Sequence, residues 1–299
     1  MTALSGVTLI VPTFNAGATV GTLLASLRRE ARSGTEIIVV DGASRDETRR
    51  RIEESGVAVA HLVSEPDRGI YDAINKGVRL ASRELIGVLG ADDELCEGAL
   101  QAVSSAWRQG PTDLLAGRAY LARADGSAAL RADEDYGPGA LLSGIPFCHN
   151  AMFATAETYR KVGAYDLRYR LCADAQWVHR AIRQGCSCRQ IEAPIVRFGH
   201  AGASSTNAEE IMRETYQIIR ENFPALSPED AACLFQAIRG WSDASGVGAV
   251  LQRHRADPEL LLSAAAAFCS RARRLTPPGA AAPAPLLRRL RARWLPRLA

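Results

Sequence analysis

The stretch Glu36-Ile-Ile-Val-Val-Asp-Gly-Ala-Ser-Arg-Asp-Glu47 decides the fold. Its apolar, β-branched run stops at Asp41-Gly42, a common turn pair. Ser44 and Glu47 then stand in the S-x-x-E form of a capping box, which predicts a helix reaching Ser55. Strand, turn and helix form one unit, and the unit recurs on both sides. Upstream, Val7-Thr-Leu-Ile-Val11 ends at Pro12, and Val20, Leu23, Leu24 and Leu27 recur at helical spacing within residues 18–32. Downstream, residues 57–63 predict a third strand, 69–81 a helix, and 85–89 a fourth strand ending in Gly90-Ala-Asp-Asp93. This βαβαβαβ order predicts an α/β fold with a parallel, doubly wound sheet. Ligands of such sheets gather beyond the carboxyl ends of the strands. There the sequence places Thr13 and Asn15, Asp41, Glu65 and Asp67, and Asp92 and Asp93.

Beyond residue 100 the order changes. Residues 113–121 and 128–131 predict a hairpin around Asp125-Gly126, and 133–143 a polar, Gly-rich loop. Residues 145–154 read as strand, 173–183 as helix and 188–198 as strand. A Gly/Ser loop covers 199–206. Residues 207–222 and 227–273 read as helical, and 277–285 form a Pro/Ala-rich linker. The expected organisation is a main domain over 1–225, a helical extension over 226–276, and a linker with a basic amphipathic tail over 277–299.

Of 299 residues, 47% are apolar and 23% charged, which excludes a disordered or collagen-like chain. No apolar run approaches the ~18 residues a membrane-spanning helix needs. Residues 1–6 show no basic region ahead of an apolar stretch, so a cytoplasmic location is expected. The seven Cys are scattered and odd in number, which argues against a disulfide framework. Eight Arg and no acid fall within 271–299, leaving 28 basic against 33 acidic groups in residues 1–270. A mildly acidic body suits nucleic acid poorly, so no nucleic-acid partner is expected. In the tail, Leu287, Leu290 and Trp294 recur at helical spacing with Arg between them. Residues 286–298 therefore suit peripheral contact with an anionic membrane, here the inner face of the cytoplasmic membrane. A solvated basic end or a docked helix is the alternative.

Each polar cluster admits a functional and a structural reading. Asp92-Asp93 are adjacent carboxylates that call for a compensating charge, such as a divalent cation carrying diphosphate, or else they cap a helix start. Asp41 either accepts from a nucleoside or simply makes a turn. In Ser64 to Gly77, Asp72, Asn75, Lys76 and Arg79 share one helical face, while Ile70, Ala73, Ile74 and Gly77 share another. Asp67 and Arg68 stand in the strand-to-helix turn where a ligand would lie.

Pro12-Thr-Phe-Asn15, Val40 to Thr48, Ser64 to Gly77 and Gly90 to Asp93 together resemble, in order and spacing, the motifs of the family-2 glycosyltransferases of the GT-A fold. The run Glu65 to Gly77 is similar to the subset that builds bacterial surface polysaccharides. The resemblance covers about residues 6–205. It implies a GT-A-type, Rossmann-like, mostly parallel sheet, here with a helical C-terminal extension. It also implies transfer of a sugar, with inversion, from a nucleoside-diphosphate sugar, UDP foremost, to a hydroxyl of a glycan or lipid-linked glycan.

The resemblance further implies that Pro12, Thr13 and Asn15 line the nucleotide pocket and that Asp41 reads the base. Asp67 and Arg68 would lie near base or ribose. Asp92 would stand near ribose and metal, and Asp93 would ligate Mn²⁺ or Mg²⁺. Some members carry an Asp where this chain has Gly90, so which of Asp92 and Asp93 holds the metal directly stays open. Phe147 to Phe153, Val162 to Asp166 and Cys172 to Arg180 resemble the later motifs, in which Asp174 would be the general base. His149 is expected beside the nucleotide sugar, and His200 near the diphosphate and metal. Trp177 is expected in the core. Two alternatives accompany this reading. One is a non-catalytic nucleotide-sugar-binding or membrane scaffold. The other is a sugar-phosphate nucleotidyltransferase, which the absence of a Gly-rich basic phosphate loop near residue 12 disfavours.

Overall fold

A computed structural model describes residues 4–122, 127–199 and 207–275. The described chain gathers into two compact units: Met1–Asp133 with Phe147–Ile211, and Glu134–Pro146 with the chain from Met212 onward.

The first unit opens with β1 (Val7–Thr13), α1 (Val20–Glu30), β2 (Thr35–Asp41), α2 (Thr48–Glu53), β3 (His61–Ser64), α3 (Ile70–Leu80) and β4 (Leu85–Val88). Then come β5 (Glu94–Leu95), α4 (Ala99–Trp107), β6 (Leu114–Ala122), β7 (Ala128–Leu130), β8 (Met152–Thr155), α5 (Ala156–Val162), α6 (Ala173–Arg183) and β9 (Cys188–Phe198). The sheet runs β3-β2-β1-β4-β8-β6-β9-β5, with β7 on β6. Its first four strands are parallel, as the alternating order predicts. The second half is mixed: β8 lies antiparallel to β4 and β6, whereas β9 is parallel to β6. The core under the sheet is built from Val20, Leu23 and Leu27 of α1 and from Leu9, Ile37 and Leu85 of the strands, all nearly or fully buried.

Register positions the site. Thr13 pairs with Asp41, and Asp41 with Ser64, so the ends of β1, β2 and β3 lie side by side. The capping box is not formed: Ser44 turns back to Asp41 instead, and α2 begins only at Thr48. Asp46 takes over locally, accepting from the Thr48 hydroxyl and backbone N–H and from Gly17 N–H. The third strand is shorter than the residue pattern predicts, covering 61–64 instead of 57–63.

The face assignment in α3 also changes. Asn75 is buried and Ile70 is 50% exposed, although apolarity alone would reverse them. Residues of the 163–171 segment cover the Asn75 side of the helix and satisfy its amide. The expected strand 145–154 is a 3-10 turn at His149–Ala151 followed by β8. Trp177 is fully buried and donates to Gly163 O at 2.7 Å.

The second unit includes α7 (Ala208–Asn222) from Met212 onward, with α8 (Pro228–Arg239), α9 (Val247–Arg253) and α10 (Pro258–Leu275). The expected continuous helical stretch breaks after Arg239, where Gly240 adopts φ +77° and ends α8. Residues 134–146 join these helices. Gly139 packs so closely on α10 that a Cβ would come within 2.7 Å of Ala267 N. Buried Glu134 pairs with Arg239 at 2.9 Å and with Arg274 at 3.5 Å. Among the described residues no helix is long and apolar enough to cross a membrane. His200, the rest of the expected Gly/Ser loop to 206, Asp125-Gly126 of the expected hairpin and residues 277–299 of the expected linker and tail lie outside the described residues.

Candidate active site

Three groups of side chains stand beyond or beside the carboxyl ends of the parallel strands. The first is centred on Asp41, which is fully buried at the end of β2. Thr13 donates to its Oδ1 at 3.1 Å, and the Ser44 hydroxyl donates to the same oxygen. Ser44 N–H at 2.9 Å and the Ser64 hydroxyl at 2.7 Å take Oδ2. Burial works to raise the Asp41 carboxyl, but these hydrogen bonds outweigh it and hold the group below its ordinary value. Asn15 joins through Ser44, whose Oγ accepts from Asn15 N–H at 2.8 Å, and Asn15 Oδ1 accepts from Arg45 N–H at 3.0 Å.

Asn15 and Ala43 adopt φ of +47° and +60°, both left-handed. These turns thus hold non-glycine residues in a sparsely populated conformation, as ligand-binding turns often do. Pro12 is buried in β1. Asp67 accepts from Gly69 N–H at 2.8 Å and leans over Gly42, where a Cβ would stand 2.7 Å from its Oδ2. Arg68 is exposed and pairs with Asp72 at 3.4 Å.

The second group is Asp92 and Asp93. Asp93 is fully buried. Its Oδ2 accepts from Gly90 N–H at 2.7 Å and from the Asn150 amide, and its Oδ1 accepts from Gly199 N–H at 3.1 Å. Burial pushes this carboxyl up to about 6; the three donors pull it down, and the charge of Asp92 adds to the rise. Asp92 is half-buried, with Gly199 pressed against it: a Cβ at 199 would lie 2.4 Å from Asp92 O and 2.5 Å from its Oδ2.

No three His, Cys, Asp or Glu side chains among the described residues converge on one point. A hard cation that keeps several waters and substrate phosphates needs only one or two protein carboxylates, so this pair fits Mg²⁺ or Mn²⁺.

The third group surrounds Asp174 in the first turn of α6. Asp174 Oδ1 accepts from Ala175 N–H at 2.8 Å and lies 3.1 Å from the Tyr71 hydroxyl. Tyr71 stacks on Tyr165 with ring centroids 5.6 Å apart, and Tyr165 stacks on Trp177 at 5.7 Å. The Tyr165 hydroxyl meets His149 Nε2 at 2.8 Å and the Tyr159 hydroxyl at 3.0 Å. His149 is buried in this aromatic layer, its ring edge-on to Tyr165 with centroids 5.6 Å apart. Burial pushes its imidazole down, against the charge of Asp174, so it is neutral near pH 7.

One 3-10 turn therefore serves two groups, with His149 supporting the Asp174 layer and Asn150 holding Asp93. Tyr71, Asn75, Asn150, Tyr165 and Gly199 do not stand out by residue type. Tyr71 and Asn75 fall inside the Ser64 to Gly77 motif, Asn150 inside Phe147 to Phe153 and Tyr165 inside Val162 to Asp166, so the motifs are the signal that points to them.

The profile of glycosyl transferase family 2 matches residues 8–166, and the chain belongs to that family. It is 30% identical over 207 residues to PGL/p-HBAD biosynthesis glycosyltransferases of Mycobacterium bovis and Mycobacterium tuberculosis, covering 67% of this chain and 75% of theirs. Among solved structures it resembles S. aureus TarS 1-349 in complex with UDP, with a TM-score of 0.61 at 15% identity over 96% of this chain and 87% of that one. It spans about half of the longer TarS chain, 49%. It also resembles the mannosyltransferase PcManGT of Pyrobaculum calidifontis in complex with GDP-Man and Mn²⁺, with a TM-score of 0.57 at 16% identity over 88% and 84% of the two chains. The fold is GT-A-like, and the chain is a glycosyltransferase that takes its sugar from a nucleotide-sugar donor.

Proposed function

We propose that this chain is an inverting glycosyltransferase of cell-surface glycan assembly, moving a sugar from a UDP-sugar to a hydroxyl of a glycan or lipid-linked glycan. The names of the mycobacterial relatives support an envelope glycoconjugate as product, and the TarS complexes support UDP. The observation that carries the mechanism is the arrangement of Asp174. Both protein donors lie on Oδ1, and among the described residues none lies on Oδ2.

Asp174 Oδ2 takes the proton of the acceptor hydroxyl as its oxygen attacks the anomeric carbon. The new C–O bond forms on the face opposite the departing diphosphate, so a single displacement inverts the centre. Thr13, Asn15, Asp41, Asp67 and Arg68 form the nucleoside side of the site. The buried Asp93 anchors the turn that presents Asp92. A Mn²⁺ or Mg²⁺ ion held by Asp92 would neutralise charge on the leaving diphosphate. His200 as a further ligand, the tail over 286–298 as a membrane contact, and the division at 225 and 276 belong to this proposal.

Thermal-shift measurements with UDP, GDP, dTDP and CMP, each with Mn²⁺, Mg²⁺ or EDTA, test the donor side, because a ligand of the folded state raises apparent stability. A selective, metal-dependent rise with UDP is expected. Equal response to all four nucleotides, or none, overturns the donor assignment. Full turnover by a folded Asp174→Asn variant overturns the base assignment.

A further inference from the structure

We propose that Tyr71 is the positioning residue of the general base: its hydroxyl bridges the Leu171 carbonyl and the carboxylate Oδ1 of Asp174, so that Oδ2 is the oxygen left to take the acceptor proton. The inference rests on the reading of Asp174 as base. Tyr71 lies in α3, more than a hundred residues before Asp174. Its single hydroxyl proton is shared between Leu171 O at 2.8 Å and Asp174 Oδ1 at 3.1 Å. The phenol thus ties the Leu171 carbonyl, just before α6, to the Asp174 carboxylate in its first turn. A carboxylate on a helix N-terminus would otherwise swing between rotamers and present either oxygen.

The ring itself is fixed. Tyr71 is nearly fully buried and stacks on Tyr165, whose backbone is tied to Asn75 of the same helix α3. The titratable groups around the bridge are Cys172 beside Asp174, Tyr165 from the 163–171 segment, His149 from the 3-10 turn and Tyr159 from α5. Burial, with the charge of Asp174 adding to it, keeps the Tyr71 phenol protonated far above pH 7, so it is a permanent donor.

The test compares the full chain with Tyr71→Phe, which keeps the stacked ring and deletes only the hydroxyl. In protein carrying ¹³C at its aspartate carboxyl carbons, the signal missing from Asp174→Asn reports Asp174. Loss of a hydrogen bond to the charged form should move the protonation midpoint of that signal up by about one pH unit. For whichever of UDP-glucose, UDP-N-acetylglucosamine or GDP-mannose is turned over, kcat should fall about tenfold or more, with donor KM little changed and the acid limb of the rate following the midpoint. A folded Tyr71→Phe protein with unchanged midpoint and acid limb overturns the proposal. Should Tyr71→Phe fail to fold, 3,5-difluorotyrosine at position 71 decides. It preserves the shape and donates more strongly, so it must move the midpoint down, and an unmoved midpoint overturns the proposal. Near-normal turnover by Asp174→Asn would instead remove the base reading itself, whatever Tyr71 does to the carboxyl signal.

Discussion

Asn75 and Tyr165, ninety residues apart, exchange two hydrogen bonds: the Asn75 amide donates to Tyr165 O at 2.9 Å, and Tyr165 N–H donates to Asn75 Oδ1 at 2.9 Å. The side chain thereby completes a backbone that has no strand or helix of its own to pair with. Asn75→Ala leaves a buried N–H and a buried carbonyl unpaired, at a cost of about 1–3 kcal/mol for each orphaned group. Chemical denaturation should show a loss of about 3 kcal/mol, with turnover falling further than stability does because Tyr165 supports the ring of Tyr71. A loss below about 1 kcal/mol would mean that water replaces the amide.

Asp92 and Asp93 should separate cleanly on substitution. Asp92→Asn is expected to abolish the Mn²⁺-dependent part of the UDP thermal shift while leaving the metal-free melting temperature nearly unchanged. Asp93→Ala removes the acceptor for Gly90 N–H, Gly199 N–H and Asn150, and should lower stability by about 2–4 kcal/mol before any ligand is added. The reverse pattern would make Asp93 the direct ligand.

Gly199→Ala tests how tightly the end of β9 holds the same turn. Its Cβ would fall 2.4 Å from Asp92 O, so either strand end or turn must move. Metal-dependent UDP affinity should weaken about tenfold or more, read by isothermal calorimetry, where tenfold corresponds to about 1.4 kcal/mol. Unchanged affinity would show that the turn yields without disturbing Asp92.

His149 predicts a pH dependence. Burial lowers its pKa below the ordinary 6.5, so as pH falls below that value the unfolded chain takes up a proton before the folded one does. Its contribution is therefore full above pH 6.5 and is lost on acidification toward the folded-state midpoint. Asp93 acts oppositely: with its carboxyl raised from 3.8 to about 6, the folded chain binds the proton first, and that contribution is lost as pH rises through about 6. His149→Gln isolates the histidine. The difference in melting temperature, variant minus wild type, should grow more positive from pH 7.5 to 5.5, and a flat difference would refute the assignment.

The residues at the ends of the parallel strands are legible because apolar runs and their stops fix both strand and register. Thr13, Asp41, Asp92 and Asp93 follow from that pattern, whereas at the third strand the pattern points to Glu65 and Asp67 and the structure puts Ser64 on Asp41. Ser44 is not legible as Asp41's partner. Its spacing to Glu47 suits a capping box equally well, and only the fold shows that a buried carboxylate at the end of β2 competes for the hydroxyl. Asn75 and Ile70 depart from the faces their polarity predicts for a related reason. Polarity predicts solvent, but a side chain that pairs with a remote backbone is buried by its partner, and sequence does not reveal which segment arrives. The mixed half of the sheet is less legible still. β8 is four residues long and takes its direction from neighbours on both sides.

Helix α3 belongs by sequence to the first half of the chain, yet its Tyr71 and Asn75 are committed to the segment that carries Asp174. The two halves therefore cannot be exchanged as separate modules. A chimera that grafts the 147–183 segment of one family member onto another inherits a mismatched interface unless α3 travels with it. Acceptor preference in such proteins should change through linked substitutions on both sides of that interface, with drift in the Ile70 to Leu80 helix constrained by a partner it meets only after folding.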